Sequence, residues 1–167
     1  MKIIVDTEQK ILQVGALCFP CAIGKNGVVA QSEGREGDGK TPLGKYTIRY
    51  GLHRNDRVSL PETKLLFWPI RRDDGWCDAP EDPAYNRPVR LPYPDSTEKL
   101  WRESSVYDII IVLSHNDDPP KPGLGSAIFL HIARDGFTPT QGCIAIAMTT
   151  MLALIPHMNH KTTVKIV

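Results

Sequence analysis

The sequence predicts a mainly β fold, either a β-sandwich or a barrel-like sheet, in a single domain. Short β-prone runs separated by Gly, Asn and Asp turns dominate the chain, and a helix pattern occurs in one stretch near the C terminus. The chain has 167 residues, enough for one well-buried core and too few for two ordinary domains. We therefore expect residues 1–167 to form one domain.

The N-terminal third of the chain predicts a series of short strands. We expect strands at residues 2–5, 11–19 and 28–31, with turns such as Gly24-Lys-Asn-Gly27 between them. A further strand is expected at residues 45–50, after the proline and glycine of the preceding turn.

Residues 51–106 are predicted to form an ordered insertion. Seven prolines lie between residues 59 and 105, and proline resists long helices and central strands. The same segment contains all three tryptophans, whose large apolar rings favour burial. We expect this insertion to pack on the rest of the domain and to line a substrate cleft.

The C-terminal part contains the strongest strand signal, Tyr107-Asp-Ile-Ile-Ile-Val-Leu113, which is apolar enough to be buried on both faces. The elements expected after it are strands at residues 126–132 and 162–167 and one helix at residues 149–158, with Thr149 or Thr150 as its N-cap.

Charge and hydropathy exclude two classes of partner. The net charge of +1 arises from 20 basic and 19 acidic side chains, and no basic stripe with interleaved aromatic residues is present, so nucleic-acid binding is not expected. No apolar run approaches the ~20 residues that a membrane span requires. No feature of the sequence specifies an oligomeric state.

The cysteines do not form a disulfide or metal-binding pattern. Cys18, Cys21, Cys77 and Cys143 are few and scattered. Cys18 and Cys21 lie in a predicted strand, where residues three apart face opposite sides, and no second Cys/His pair follows at zinc-ligand spacing. We predict structural cysteines at these two positions and no metal site.

An imidazole and a thiol twelve residues apart predict the chemistry. His131 lies at the end of an apolar strand, and Cys143 directly follows Gly142. Histidine is the usual group that takes a thiol proton, and an imidazolium lowers the pKa of a nearby thiol from ~8.5. The pattern therefore indicates a cysteine acyltransferase or hydrolase with Cys143 as nucleophile and His131 as general base. A buried inert cysteine is the structural alternative.

Two segments resemble motifs of the L,D-transpeptidase catalytic domain family (YkuD type). Thr140-Gln-Gly-Cys-Ile144 resembles the family's Ser/Thr-His-Gly-Cys motif, and Gly39-Lys-Thr-Pro-Leu-Gly-Lys-Tyr-Thr-Ile48 resembles its Thr-Pro-x-Gly-x-Phe-x-Ile signature. The departures are Ile132 for a glycine, Gln141 for a second histidine and Ala145 for an arginine. The resemblance implies the family's mainly β catalytic fold with one or two short helices.

The resemblance also implies an activity. It implies acyl transfer on peptidoglycan stem peptides through a thioester on Cys143, without a metal or organic cofactor. L,D-carboxypeptidase or other amide hydrolysis on muropeptides, and a non-catalytic module that binds cell-wall fragments, remain alternatives. The family implies a periplasmic or cell-wall location, whereas residues 1–7 predict a strand and not a signal peptide, so a cytoplasmic location also stays open.

Four residues are expected to support the catalytic pair. By the family pattern, the N–H groups of Gly142 and Cys143 are candidate oxyanion donors. Thr140 and Gln141 belong to the same supporting loop, and Thr140 is expected to fix it by side-chain hydrogen bonding. The carbonyl of Ile132 is expected to orient the histidine ring.

Three further side chains are candidate substrate contacts. His115 follows the predicted strand 107–113 and precedes two aspartates, although an ordinary loop role is the alternative. Arg134 lies close to the predicted catalytic histidine and either replaces the guanidinium missing at Ala145 or is an ordinary solvated loop arginine. Trp76 lies in the insertion that is expected to line the cleft.

Overall fold

The structure is a computed structural model that describes residues 1–167. It is mainly β, as predicted, with one α-helix, α1, at Met148–Leu154. The strands, numbered in chain order, are β1 (Lys2–Asp6), β2 (Ile11–Val14), β3 (Leu17–Ala22), β4 (Val28–Ala30), β5 (Thr41–His53), β6 (Phe67–Pro69), β7 (Asp74–Cys77), β8 (Pro88–Arg90), β9 (Thr97–Lys99), β10 (Ile109–Leu113), β11 (Phe129–Ile132), β12 (Ile144–Ile146) and β13 (Thr163–Ile166).

The main sheet closes on itself. Its strands follow the order β10-β11-β12-β3-β2-β1-β13-β5, and β10 also pairs with β5, which completes the ring. Strands β4 and β6 add to the flanks of β5. Closure removes the free edges that an open sheet would present, so the barrel-like form of the predicted fold is the one observed.

Several local predictions differ from the structure. Strand β11 begins at Phe129 and not at 126, and α1 ends at Leu154, where a 3-10 turn at Ile155–His157 replaces the rest of the predicted helix 149–158. The run at 11–19 is not one strand, because Gly15 adopts φ 61° and turns the chain into a hairpin of β2 and β3. Strand β5 begins four residues earlier and ends three residues later than the predicted 45–50. The residue that caps α1 is Ala147, which makes no side-chain cap, because Thr150 is buried within the helix.

Strand β10 is buried on both faces, as predicted, and it separates two apolar cores. Ile109, Ile111 and Leu113 contribute to the core that fills the barrel and extends to α1. Ile110 and Val112 face the opposite side and contribute to a second, smaller core. Alternation along one strand therefore supplies both cores.

The second core lies between the outside of the barrel and the insertion. Strands β7, β8 and β9 of the insertion form a small antiparallel sheet. Trp76 on β7 is 4% exposed and packs edge-to-face on Phe129 of β11, with ring centroids 5.0 Å apart. Trp101 is half-buried, whereas Trp68 remains 58% exposed. This packing places residues of the insertion beside β11 and β12.

Candidate active site

His131 and Cys143 lie on one face of two neighbouring parallel strands. His131 on β11 is in register with Ala145 on β12, and Cys143 precedes Ala145 by two residues, so their side chains share a face. Both residues are largely buried, and both line one cavity of ≈ 420 Å³ between the barrel and the insertion. The fold thus brings the predicted base and nucleophile into a common chamber.

The ring of His131 is oriented by the next residue. Its Nδ1 lies 2.9 Å from the carbonyl oxygen of Ile132, and because a carbonyl can only accept, Nδ1 carries the proton. Tyr107 packs edge-on against the imidazole, with ring centroids 5.3 Å apart. This tautomer leaves the lone pair of Nε2 as the proton acceptor.

The sulfur of Cys143 is held by the backbone before and within β11. Its thiol donates to the carbonyl of Ala127 at 3.0 Å, and the sulfur accepts from the N–H of Phe129 at 3.4 Å. Both contacts favour a single position of the side chain, and the bond to Ala127 favours the protonated thiol.

The resting pair is neutral. Burial raises the pKa of the Cys143 thiol to about 12, and the nearby Glu98 carboxylate acts in the same direction. Burial lowers the pKa of His131 to about 4, and the positive charges of Arg102 and Arg134 act in the same direction. At pH 7 the structure therefore holds a thiol and a neutral imidazole, not the thiolate–imidazolium pair that the sequence pattern suggested.

The loop before Cys143 requires glycine and depends on the N-terminal motif. Gly142 adopts φ 135°, and a Cβ at this position would lie 2.8 Å from the carbonyl oxygen of Lys40. The hydroxyl of Thr41 donates to the carbonyl of Gly142 at 2.8 Å and accepts from the N–H of Gly24 at 2.8 Å. Thr41 of the N-terminal motif therefore stabilises the loop before Cys143 through its hydrogen bond to Gly142.

Thr140 closes the same loop with its side chain. Its hydroxyl donates to the carbonyl of Cys143 at 2.6 Å and accepts from the N–H of Gly142 at 3.1 Å. Of the two N–H groups expected as oxyanion donors, that of Gly142 therefore already donates to Thr140. The N–H of Cys143 makes no hydrogen bond within the loop and remains available.

The insertion contributes a charged wall that the sequence motifs did not indicate. Arg102 pairs with Glu98 at 2.8 Å and lies over the ring of Tyr107, 4.5 Å from its centroid. The phenol of Tyr107 donates to Glu98 at 2.5 Å. All three residues line the cavity. Glu98 lies on β9 and Arg102 in the loop after it, so no helical spacing signals their contact in the sequence.

The remaining predicted residues divide into two groups. Arg134 and Gln141 are exposed and line the cavity, where both side chains face solvent. Trp76 and His115 do not line it. The indole of Trp76 donates to Asn86 at 2.9 Å, and His115, 3% exposed, has Nε2 3.2 Å from the carbonyl of Leu124. Both act in packing here.

Comparison with known proteins identifies the family. The family model of the L,D-transpeptidase catalytic domain, YkuD, matches residues 1–166. The chain belongs to this family. The two family motifs contact each other through the hydrogen bond between Thr41 and Gly142. Both motifs lie within the matched residues 1–166.

Two solved structures are similar to this L,D-transpeptidase domain. Bdellovibrio bacteriovorus Bd1075 is 18% identical with a TM-score of 0.50, and an L,D-transpeptidase from Mycobacterium smegmatis is 11% identical with a TM-score of 0.45. Each alignment covers 99% of this chain, but 46% and 58% of the respective neighbours. The chain thus spans about half the length of these proteins. No curated protein matches it.

The domain has neither a metal-ligand cluster nor a membrane-spanning helix. No group of three or more His, Cys, Asp or Glu side chains is arranged to hold a metal ion. None of its helices has the length and apolar character needed to cross a bilayer.

Proposed function

We propose that this L,D-transpeptidase family domain transfers acyl groups of peptidoglycan stem peptides through a thioester on Cys143. The observation that carries the proposal is the shared cavity of Cys143 and His131, in which the hydrogen bond to Ile132 places the ring proton on Nδ1 and leaves the lone pair on Nε2. Family membership supports the substrate class, because the family acts on peptidoglycan peptides.

In the first half-reaction, the neutral pair acts by general base catalysis. As the sulfur of Cys143 attacks the peptide carbonyl, its S–H turns from the Ala127 carbonyl to Nε2 of His131, which takes the proton while the C–S bond forms. The N–H of Cys143 stabilises the oxyanion of the tetrahedral intermediate. When the C–N bond breaks, His131 returns the proton to the leaving amine, and a thioester remains.

In the second half-reaction, an acceptor attacks the thioester. An amine gives a new amide and completes transfer, whereas water gives a carboxylic acid and completes hydrolysis. In both cases His131 takes a proton from the acceptor and returns it to the Cys143 sulfur as the C–S bond breaks. The same residues therefore serve both outcomes.

Arg134 is the proposed contact for a carboxylate of the stem peptide. It lines the cavity and is exposed, and no carboxylate of the chain forms an ion pair with it. Arg102 lines the same cavity but is already paired with Glu98. A free guanidinium fork matches a carboxylate in geometry and charge, so Arg134 takes the place of the arginine missing at Ala145.

The experiment that tests the proposal combines a tetrapeptide donor with an amine. The wild-type domain, Cys143→Ala and Cys18→Ala are each incubated with the donor, with and without the amine, and products are identified by mass spectrometry. Cys18 is an exposed cysteine remote from the cavity, so its substitution is the matched control. Product that forms in the wild type and in Cys18→Ala but not in Cys143→Ala supports the proposal, and product that survives in Cys143→Ala contradicts it.

The state of the Cys143 thiol favours a second candidate function. In this alternative the domain is a non-catalytic module that binds cell-wall fragments. The thiol is held by Ala127 and its pKa is raised to about 12, as in an inert cysteine. Incubation with a carbapenem followed by intact-mass measurement separates the two functions. A covalent adduct that is lost in Cys143→Ala supports the enzyme, whereas no adduct and no turnover, with retained binding of muropeptides, supports the binding module.

A further inference from the structure

Asn86 of the insertion uses its whole hydrogen-bonding capacity in the interior. Its Oδ1 accepts from the indole N–H of Trp76 at 2.9 Å and from the backbone N–H of Ala127 at 3.0 Å. Its Nδ2 donates to the carbonyls of His115 at 3.0 Å and Asn116 at 2.7 Å. The residue is 3% exposed. Two acceptor sites and two donors are thus all satisfied, as expected of a buried amide that is fixed in place.

Ala127 links this amide to the sulfur. Its N–H binds Oδ1 of Asn86, and its carbonyl accepts the thiol proton of Cys143 at 3.0 Å. Ala127 adopts φ 52°, a left-handed conformation that a non-glycine residue rarely takes unless its surroundings hold it there. Apart from the Cys143 thiol itself, Asn86 Oδ1, which accepts the Ala127 N–H, is the side-chain group that contacts the Ala127 backbone.

We infer that Asn86 is a positioning residue for the nucleophile, because it holds Ala127 in the conformation that keeps the Ala127 carbonyl on the sulfur of Cys143. The inference rests on the proposed function, in which Cys143 attacks the substrate. It assigns to the proline-rich insertion a role in the reaction beyond lining the cavity.

The consequence is a defined position and protonation state for the sulfur. A carbonyl that accepts the thiol proton favours the neutral thiol and excludes other rotamers of the side chain. Without Asn86, Ala127 relaxes towards a negative φ and its carbonyl leaves the sulfur. The thiol then ionises at lower pH, while attack on substrate becomes slower because the sulfur is no longer aligned.

The test follows the alkylation of Cys143 by iodoacetamide as a function of pH. Cys143 is the only cysteine of the tryptic peptide 135–161, so mass spectrometry separates it from the other three. In Asn86→Ala we expect faster alkylation at pH 8, by about tenfold for each pKa unit that the thiol loses. We also expect kcat of the transfer reaction to fall while KM changes little.

Two companion variants separate positioning from a general loss of stability. Asn86→Asp keeps an oxygen for Ala127 but loses both donations to the carbonyls of His115 and Asn116, so it should be less stable without the faster alkylation. Thr63→Val removes a partly buried hydroxyl that donates to Ile155 and does not line the cavity, and it should lower the melting temperature with no change in the alkylation profile.

A third variant tests the link through Ala127. Glycine adopts a positive φ without strain, so Ala127→Gly combined with Asn86→Ala should restore the alkylation profile and part of kcat. A profile that stays shifted in the double variant overturns the inference, as does an unshifted profile in folded Asn86→Ala. The coupling between the two sites is read as a double-mutant cycle.

Two further outcomes are decisive. If Asn86→Ala does not fold, Ala127→Val replaces it in the test. A β-branched side chain opposes the left-handed φ, while Asn86 keeps its other three hydrogen bonds. An unchanged alkylation profile in this variant overturns the inference.

The alkylation test requires no turnover of substrate. If the wild type shows no reaction that depends on Cys143, the proposed function fails, and the alkylation profiles still decide whether Asn86 controls the sulfur.

Discussion

The hydroxyl of Thr41 donates a 2.8 Å hydrogen bond to the carbonyl of Gly142, although 101 residues separate them in the chain. The same hydroxyl accepts the N–H of Gly24, so it joins three segments in a buried site. The two family motifs are therefore parts of one structural unit, in which the N-terminal motif fixes the loop that presents Cys143.

Thr41→Val should weaken this unit. Valine keeps the shape of threonine but leaves the Gly24 N–H and the Gly142 carbonyl without partners, which should lower the free energy of unfolding by about 1–3 kcal/mol. Turnover should fall as well, because the loop is less well held. Urea denaturation and initial rates measure the two effects. Thr41→Ser, which retains the hydroxyl, should remain close to the wild type in both, and an equal loss in Thr41→Ser would contradict this explanation.

Gly142→Ala should reduce activity strongly. The new Cβ would lie 2.8 Å from the carbonyl oxygen of Lys40, and alanine is strained at φ 135°, so the loop must move. Displacement of the sulfur by about 1 Å can cost on the order of a hundredfold in rate, so we expect kcat/KM to fall at least tenfold. Gly15→Ala is the matched control, since φ is 61° there and the space around it is open. It should cost about 1 kcal/mol of stability and leave kcat/KM unchanged.

The dependence of activity on pH should reflect a neutral catalytic pair. His131 must be unprotonated to act as a base, and its pKa is lowered to about 4 by burial, so kcat/KM should fall only near that pH. Towards alkaline pH the rate should stay flat through neutrality, because the pKa of the thiol is raised to about 12. Rates measured between pH 3.5 and 9 test this, and a fall in rate between pH 7 and 9, where an imidazolium would lose its proton, would favour an ion pair instead.

Stability should also depend on His131 in the acid range. The unfolded chain binds a proton at this residue near pH 6.5 and the folded protein only near pH 4, so within this window the unfolded state holds more protons. The free energy of unfolding should therefore decrease as pH falls from 6.5 to 4, by up to about 3 kcal/mol from this residue. Urea denaturation of the wild type and of His131→Asn at pH 4.5 and 7 isolates the contribution, because His53 and His115 act in the same direction in both proteins. An equal loss of stability in both would contradict it.

Arg54→Lys should destabilise the insertion. The guanidinium makes a two-point contact with Asp56, donates to the carbonyl of Arg102 at 2.8 Å, and lies 3.4 Å from the centroid of the Trp101 ring. Lysine has neither the planar fork nor the stacking surface, so a loss of about 1.5–3 kcal/mol is expected. Arg90→Lys is the control, because Arg90 is 52% exposed and its ion pairs should contribute at most about 1 kcal/mol. Thermal unfolding of both variants provides the comparison.

Local sequence signals were enough to predict the candidate pair, His131 and Cys143, that shares the cavity, and the central strand. His131, Cys143 and the carbonyl of Ile132 lie within one motif, so their spacing along the chain carried the information. The unbroken apolar run of β10 predicted burial on both faces, and both faces are buried. The same kind of signal gave a wrong prediction at Gly15. The apolar run at 11–19 continues across this glycine, so it predicted one strand where the structure has a hairpin.

Local sequence signals did not predict which other residues line the cavity. Glu98, Arg102 and Tyr107 reach the cavity because an irregular, proline-rich segment packs on the outside of the barrel, and no periodicity marks that packing. Trp76 was expected in the cleft on the basis of its position in the insertion. It is instead buried against Phe129, because its ring completes the second core.

The hydrogen bond from the thiol to Ala127 also bears on how the protein withstands oxidants. Peroxide and most electrophiles react with the deprotonated form of cysteine, and this sulfur is both enclosed and almost wholly protonated at neutral pH. Cys18 on β3 is exposed and does not line the cavity, so it should take the damage first. Oxidative stress that modifies this outer thiol should therefore leave the inner one intact.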